Sequence, residues 1–136
     1  MTDVTVRRLG AGDEGVVALL AEREPRTALL VDERTIYVAA FDGEEPVGFA
    51  FGYVLPRRHG DAEMLFVYEV DVDERYQRRG IATRLLRELE RVARARGVHE
   101  AFVLADADND PAAGLYRSLG GEALEVVQFE FHYPES

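Results

Sequence analysis

The chain has 136 residues, of which 47% are hydrophobic, and this length and composition suit one domain with one core. It contains no cysteine, which excludes disulfides, thiolate metal sites and cysteine nucleophiles. The formal net charge is −10 and every basic residue is an arginine, so the chain should attract cations and repel nucleic acid. The absence of lysine also excludes a Walker phosphate loop.

Several classes of partner are disfavoured by the sequence. No run approaches the roughly 18 consecutive apolar residues of a membrane span, and the N-terminus lacks the basic start and apolar core of a signal peptide. His59, His99 and His132 are isolated and lack ligand spacing, so no metal is expected. A cytoplasmic protein without a membrane or nucleic-acid partner is therefore predicted. The acidity has two interpretations: a polycationic substrate, or a GC-rich or halophilic source that replaces lysine with arginine.

Apolar periodicity and turn residues predict strands and short helices up to residue 55. Asp13 can serve as the N-cap of the first helix. Asp42-Gly43 is a turn signal between two β-rich runs and predicts a hairpin. The predicted elements are a strand over 4–9, a helix over 14–21, a short helix over 27–31 and two strands over 35–41 and 46–55.

The most specific pattern lies between residues 64 and 96. An apolar strand over 64–72 is followed by a polar loop and an amphipathic helix that runs to Arg96. The free N–H groups at the start of such a helix, together with its dipole, bind anions and phosphate above all. Gly80 lets a ligand approach the backbone closely, and Arg78 and Arg79 add charge suited to phosphate. The sequence therefore predicts a phosphate site where strand, loop and helix meet.

The loop Gln77-Arg78-Arg79-Gly80-Ile81-Ala82 resembles the Q/R-x-x-G-x-G/A signature of the GNAT superfamily of acetyl-CoA-dependent N-acetyltransferases. The resemblance implies an α/β fold in a single domain over 1–136. Its sheet would be central, mixed, mostly antiparallel and twisted, with a parallel strand pair at the coenzyme A site and helices on both faces. It also implies acetyl-CoA as co-substrate, with pantetheine along the strand and pyrophosphate on the loop amides. The implied cofactor-binding residues here are Val70, Asp71, Val72, Gln77, Arg78, Arg79, Gly80, Ile81, Ala82 and Thr83.

The remaining predicted elements are a strand over 100–105, parallel to the strand over 64–72, a helix over 111–119 and an alternating final strand over 126–133. The run from Asn109 to Gly120 resembles the family pattern N-x-x-A-x-x-L-Y-x-x-x-G. This resemblance implies that Asn109 contacts pantetheine and that Tyr116 points at the thioester sulfur. A phenol with a pKa of about 10 can donate a proton or a hydrogen bond to a leaving thiolate whose thiol has a pKa of about 8.5.

The attacking amine has to lose a proton, and Glu69 is the candidate base. It interrupts an apolar strand, where a carboxylate is costly unless it has a partner or a task. In the family, a carboxylate near this point often acts as base, directly or through water. Asp71 is the rival on nominally the same face, and a β-bulge, usual in the family, would alter the alternation. The acidic loop residues Asp106, Asp108 and Asp110 are alternative binding sites for a cationic acceptor.

Three short segments also resemble the aminoglycoside 3-N-acetyltransferase type I branch of the family: Gly52-Tyr53-Val54-Leu55-Pro56, Tyr68-Glu69-Val70, and Ala105-Asp106 through Asp110-Pro111-Ala112. The branch more often has Asp where Glu69 stands. The resemblance implies acetyl transfer to a primary amine of a small, aminoglycoside-like or other polycationic acceptor by direct attack in a ternary complex. Two alternatives stay open: acetylation of a protein N-terminus or lysine, and a non-catalytic acyl-CoA sensor. A homodimer is expected by analogy with the family alone.

Overall fold

The structure is a computed structural model that describes residues 3–135. The chain forms two compact units, one that extends to Leu104 and one that begins at Ala105. The second unit contains the helix α3 (Asp110–Ser118). The first unit contains β1 (Val4–Arg8), α1 (Glu14–Leu20), a 3₁₀ turn (Thr27–Leu30), β2 (Thr35–Asp42), β3 (Glu45–Pro56), β4 (Glu63–Val72), a second 3₁₀ turn (Glu74–Tyr76), α2 (Ile81–Ala95) and β5 (Ala101–Val103).

The five strands form one sheet in the order β1-β2-β3-β4-β5. The first three pairings are antiparallel, and β4 pairs with β5 in parallel because α2 connects them as a crossover. The turn at Asp42-Gly43 closes the predicted hairpin, and Gly43 has a φ of 64° that suits glycine. The predicted fold class, a mixed and mostly antiparallel α/β sheet with a parallel pair, is confirmed.

Each face of the sheet has its own hydrophobic core. On one face, α2 buries an apolar stripe in which Leu85 and Leu89 are at most 1% exposed, against side chains such as Ile36 and Val54. Full burial of each leucine stabilises the fold by about 1.5–3 kcal/mol. On the other face, α1 and the first 3₁₀ turn pack on an aromatic surface of β2 and β3. The α2 core fixes where that helix begins, and the aromatic core forms the floor of a cavity described below.

A β-bulge interrupts β4 at Tyr68. Phe51 of β3 lies opposite Glu69, whereas the next residue, Gly52, lies opposite Val67, so Tyr68 is the extra residue. The ring of Tyr68 contacts the ring of Phe51 on the α1 face, and Glu69 lines a cavity on that face as well. The bulge therefore directs two successive side chains to one side of the sheet, and normal alternation resumes after Glu69.

Gly52 is the residue that permits this close strand approach. A Cβ at this position would lie 2.6 Å from the carbonyl oxygen of Phe66 and 2.9 Å from Cδ1 of Leu65. We therefore expect Gly52→Ala to destabilise the protein by about 1–3 kcal/mol, because the β4 backbone has to shift. Thermal unfolding measures this loss, with Gly15→Ala as the matched control in α1. A Cβ at Gly15 meets open space and should be neutral or stabilising. Equal melting temperatures for the two variants would contradict the tight approach.

The side chain of Asp13 does not cap α1, contrary to the prediction. Among the described residues it accepts no capping hydrogen bond; it accepts one from Gly10 N–H at 2.9 Å and pairs with both terminal nitrogens of Arg7 at 2.9 and 3.1 Å. Hydrogen bonding to Arg7 holds the pKa of the Asp13 carboxyl below its usual value. The sequence signal was ambiguous because an N-cap residue and a turn-stabilising residue have the same short acidic side chain.

The predicted final strand over 126–133 is also wrong. Residues 121–135 belong to no helix or strand, and apolar side chains of both alternation phases are exposed: Val126 at 73% and Phe129 at 77%. Alternation shows that a segment is compatible with a half-buried strand, but a strand also needs a hydrogen-bonded neighbour. In the described part of the chain, this segment has no ladder partner.

Candidate functional site

Residues from three strands form two parallel rows on the α1 face of the sheet. In the first row, Tyr37 of β2 lies opposite Phe51 of β3, which lies opposite Glu69 of β4. In the next row, Phe49 lies opposite Asp71. Because residues two apart on a strand share a face, both carboxylates and all three rings lie on the same side. The Glu69–Asp71 alternation is intact because the bulge precedes both residues.

These rows form the floor of a cavity of about 490 Å³. The opposite wall is the end of α1 and the segment after it, which carries both acidic and basic side chains. The aromatic floor is continuous: the rings of Tyr37 and Phe51 stack with centroids 5.1 Å apart, and those of Phe49 and Phe51 lie 6.4 Å apart. The lining residues are Val17, Leu20, Ala21, Glu22, Arg23, Glu24, Pro25, Arg26, Leu29, Tyr37, Phe49, Phe51, Glu69 and Asp71.

The cavity alters the ionisation of the Glu69 carboxyl. Partial desolvation raises its pKa, and the negative charges of Asp71 and then Glu22 raise it further. The side chain stays exposed to solvent, so it can exchange protons with water and reach a molecule in the cavity. A carboxylate with a raised pKa is a better proton acceptor than an ordinary one, as a general base requires.

Tyr37 places a phenol in the same cavity, and the sequence analysis missed it. The residue is 8% exposed, and its hydroxyl makes no hydrogen bond to any residue in the described range. Burial, and secondarily the charge of Glu69, raises its pKa to about 12. The phenol is therefore neutral at physiological pH and offers both a donor and an acceptor. No single-sequence signal identifies it, because Tyr37 lies in an apolar run of its strand and the cavity depends on cross-strand register.

The loop between β4 and α2 is fixed by side-chain contacts to other elements. Asp73 accepts a hydrogen bond from Arg75 N–H at 3.0 Å, and the Arg75 guanidinium also pairs with Glu45 at 2.9 Å. Tyr76 donates to the Asp42 carboxylate at 2.5 Å, which ties the loop to the β2–β3 turn. These polar contacts fix the position of the loop, so the start of α2 is held at the end of β4.

Helix α2 begins at an open N-terminus. Its N-cap, Gly80, has a φ of 76°, and no side chain of the described residues caps it. The first intrahelical bond runs from Arg84 N–H to Gly80 O, so the N–H groups of residues 81–83 point out of the helix end. A Cβ at Gly80 would meet nothing within 4 Å among the described residues, so the backbone just before these groups is open to a ligand. Such an end binds a phosphate group.

Two arginines beside this helix end supply further positive charge. Arg78 has a φ of 66°, a left-handed conformation that costs a non-glycine residue about 1 kcal/mol or more. The guanidinium of Arg79 lies 5.2 Å from the centroid of the Tyr76 ring, a cation–π contact that positions it. Both side chains are exposed. Gln77, also in the signature, donates a hydrogen bond to Val72 O at 3.0 Å and connects the loop to β4.

One edge of β4 has no neighbouring strand over its last residues. Parallel pairing with β5 covers Leu65 to Val67 only, while pairing with β3 continues to Val72. Asp73 N–H donates to Val47 O, so by alternation the main-chain groups of Asp71 point to β3 and those of Val70 and Val72 point to the open edge. Among the described residues, β4 beyond Val67 has no strand partner on this edge: the Val72 carbonyl accepts the Gln77 hydrogen bond, and the main-chain groups of Val70 and the Val72 N–H are left for a ligand. Asp71 contributes its side chain to the cavity.

The second unit contains the other two predicted site residues. The Asn109 carboxamide oxygen accepts a hydrogen bond from Ala112 N–H at 3.1 Å and so caps α3, which leaves its NH₂ group for another partner. Tyr116 lies in the last turns of α3, and desolvation raises the pKa of its phenol. Gly121 N–H donates to the Tyr116 carbonyl at 2.9 Å and closes the helix. The catalytic and pantetheine roles predicted for these two residues stay predictions.

No group of three or more His, Asp or Glu side chains within residues 3–135 is placed to hold a metal ion. None of the helices in that range has both the length and the apolar character that crossing a membrane demands.

Strand β4 thus has an open edge that leads to the uncapped end of α2, which can accept a phosphate group, and a face whose two carboxylates can accept a cation. The chain belongs to the Acetyltransferase (GNAT) family, whose model matches residues 9–120. The resemblance seen in the loop before α2 is thereby confirmed.

Known relatives of this chain include two bacterial acetyltransferases. N-alpha-acetyltransferase RimI of Mycobacterium tuberculosis is 41% identical over 88 residues, which are 62% of this chain and 50% of the relative. An L-2,4-diaminobutyric acid acetyltransferase of Streptomyces coelicolor is 39% identical over 75 residues, 54% of this chain and 42% of the relative. The chain thus spans half or less of the length of these two relatives.

A solved structure matches almost the whole chain. It is an aminoglycoside acetyltransferase from an uncultured soil metagenomic sample, 30% identical to this chain. The match covers 97% of this chain and 99% of that chain, with a TM-score of 0.85.

Proposed function

We propose that the protein is an N-acetyltransferase that moves an acetyl group from acetyl-CoA to a primary amine of a small polycationic acceptor. The observation that carries the proposal is the cavity in which Glu69 and Asp71 face an aromatic floor, on the same strand whose open edge leads to the uncapped end of α2. A cationic amine and a phosphate-bearing acyl donor need these two different environments side by side.

Acetyl-CoA would be bound mainly by main-chain groups. The amides of pantetheine would pair with the open-edge groups of Val70 and Val72, as an added strand pairs with a sheet edge. The N–H groups of residues 81–83 would hold the pyrophosphate, with Gly80 allowing close approach and Arg78 and Arg79 providing charge. Asn109 would contact the pantetheine arm with the NH₂ group that its capping role leaves available.

The reaction would be a direct attack within a ternary complex. The amine nitrogen forms a bond to the thioester carbon, the carbon–sulfur bond breaks, and the sulfur leaves as a thiolate. Glu69 would accept the proton that the ammonium loses before attack, directly or through water, and the second proton that the nitrogen loses as the amide forms balances the one that the thiolate gains. Tyr116 would donate a proton or a hydrogen bond to the thiolate as it leaves, because burial raises the pKa of its phenol and keeps the hydroxyl protonated. The absence of cysteine agrees with a route that uses no thiol nucleophile.

An aminoglycoside-like acceptor is the leading candidate. The net charge of −10, the two carboxylates in the cavity and the likeness to a structure described as an aminoglycoside acetyltransferase all support it. Arg23 and Arg26 in the cavity wall favour a second candidate, an amino acid with a carboxylate beside its amine, and a relative is a diaminobutyric acid acetyltransferase. Acetylation of a protein N-terminus is a third candidate, in line with the RimI relative. Cytoplasmic location, a single domain and a homodimer stay predictions.

The test of the proposal is a panel of amines assayed by thiol release from acetyl-CoA. The panel contains an aminoglycoside, a diamino acid and a peptide with a free N-terminus, and the expected result is turnover of the aminoglycoside with the highest kcat/KM. Binding of acetyl-CoA without release of thiol with any amine would indicate a non-catalytic sensor. Failure to bind acetyl-CoA would contradict the proposal altogether.

Tyr116→Phe separates an enzyme from a sensor. If the phenol protonates the leaving thiolate, the variant should bind acetyl-CoA normally and turn over about 10²-fold more slowly. The measurement is kcat together with calorimetric affinity for acetyl-CoA. Tyr133→Phe is the matched control, since it removes a hydroxyl from an exposed tyrosine of the same unit and should leave both quantities unchanged. Equal turnover of Tyr116→Phe and the parent protein would reduce Tyr116 to a packing residue.

A further inference from the structure

We infer that the acceptor cavity contains two ammonium subsites and selects acceptors with two amines over acceptors with one. The reactive amine would bind at Glu69 and Phe51, and the second ammonium at Asp71 and Phe49. This inference rests on the proposed function and specifies its acceptor: Asp71 is a specificity-determining residue.

The two subsites repeat one chemical unit. Each has a carboxylate on β4 directly opposite a phenylalanine on β3, and both pairs face the same cavity. A carboxylate next to an aromatic ring suits an ammonium, because the ion pair and the cation–π attraction act on the same charge. Two such units on neighbouring rows therefore match a molecule with two ammonium groups.

The spacing of the units sets the length of the acceptor. The ring centroids of Phe49 and Phe51 are 6.4 Å apart. Glu69 and Asp71 are two residues apart, which is about 7 Å along a strand. Nitrogens joined by five single bonds of about 1.5 Å each, in an extended zigzag, are about 6 Å apart. A diamine with four carbons between its nitrogens thus spans both units.

Tyr37 provides an independent sign that a polar ligand group belongs at the first subsite. Its side chain lines the cavity in the same cross-strand row as Phe51 and Glu69, it is 8% exposed, and its hydroxyl makes no hydrogen bond within the described residues. The ring is buried while the hydroxyl reaches the cavity, since Thr35 Oγ1 is the one fully buried side-chain oxygen without a partner among the described residues. An ammonium at Glu69 would donate a hydrogen bond to the phenol oxygen in place of water.

The test compares three acceptors of equal chain length. They are 1,4-diaminobutane, 4-amino-1-butanol and 4-aminobutanoate, which carry an ammonium, a hydroxyl and a carboxylate at the second end. We expect kcat/KM for the diamine to exceed that for the amino alcohol by about tenfold or more, the effect of one charged hydrogen-bonded contact. Asp71→Asn should bring this ratio close to one. Glu69→Gln should lower kcat/KM for both compounds and keep the ratio.

The outcomes separate this inference from the proposed function. A diamine-to-alcohol ratio near one in the parent protein, an unchanged ratio in Asp71→Asn, or a preference for 4-aminobutanoate through Arg23 and Arg26 would overturn the two-subsite cavity while leaving acetyl transfer intact. If no amine is acetylated, the proposed function fails. Calorimetric titration of the diamine and the amino alcohol onto the CoA-loaded protein then tests the two subsites without turnover. A diamine preference that Asp71→Asn abolishes supports the subsites. Equal affinities for the two compounds overturn them.

Discussion

Glu69→Gln is expected to lower kcat at neutral pH by about 10²-fold or more, the usual contribution of a positioned general base. The amide keeps the shape of the side chain and loses its basicity. Much of the loss should recover at high pH, where a larger share of the amine, with a pKa near 10, is already unprotonated. Affinity for acetyl-CoA should hardly change, because the proposed CoA contacts use the open edge of β4 and not the face that carries Glu69. A higher KM for the amine with constant kcat would mean that Glu69 only binds the cation.

The pH profile of the parent protein gives the matching measurement. Desolvation, Asp71 and Glu22 raise the pKa of Glu69, so the active carboxylate form is present above that raised value and is lost as the pH falls through it. The rising limb of kcat/KM should therefore lie above the ordinary pKa of a glutamate and should be missing in Glu69→Gln. Asp71→Asn removes a negative neighbour, lowers the pKa of Glu69 and should move the limb to lower pH. If Asp71→Asn abolishes the limb and Glu69→Gln does not, the base is Asp71.

Gly80→Glu is expected to weaken acetyl-CoA binding by about 10²-fold or more. The substitution puts bulk and negative charge where the pyrophosphate would approach the first N–H groups of α2, and like charges in contact cost several kcal/mol. Calorimetry of the folded variant measures the loss. An unchanged affinity would show that the pyrophosphate does not bind at the end of α2.

Gly80→Gln is the matched control for this variant. Both side chains have the same size, and both impose the same strain on a residue whose φ is 76°. The difference in affinity between the two variants therefore isolates the effect of charge from that of shape. We expect the glutamine variant to bind acetyl-CoA more weakly than the parent protein and more strongly than the glutamate variant. Equal affinity of the two variants would mean that bulk and strain alone account for the loss.

Local patterns in the sequence predicted the elements that carry their own signals. The apolar period of α2, the turn at Asp42-Gly43 and the strand before the signature are short-range features, and the structure contains all three. Gly80 at the start of the helix was predictable because glycine before an amphipathic run marks a backbone that needs a positive φ. The predicted phosphate-binding part of the site could be inferred because its residues are close together in the sequence.

The acceptor side of the site could not be predicted in the same way. Tyr37, Phe49 and Phe51 become a cavity floor only through the register between β2, β3 and β4, which a single sequence does not encode visibly. The bulge at Tyr68 was expected from the family, but its position before Glu69, which decides that Glu69 and Asp71 share a face, depends on the approach of Gly52 to β4. The alternation over 126–133 failed for the opposite reason, since a local pattern was present and the long-range partner was absent from the described residues.

Strand β4 divides two kinds of recognition between its edge and its face, and this has a consequence for how such a protein can diverge. The groups on the open edge at Val70 and Val72 belong to the main chain, so they are the same whatever side chains occupy those positions. The α1 face presents side chains, and exchange of Glu69, Asp71 or Tyr37 alters its chemistry at once. Mutational drift on the face can therefore change the acceptor while the donor continues to bind at the edge, and one scaffold can serve a succession of amines.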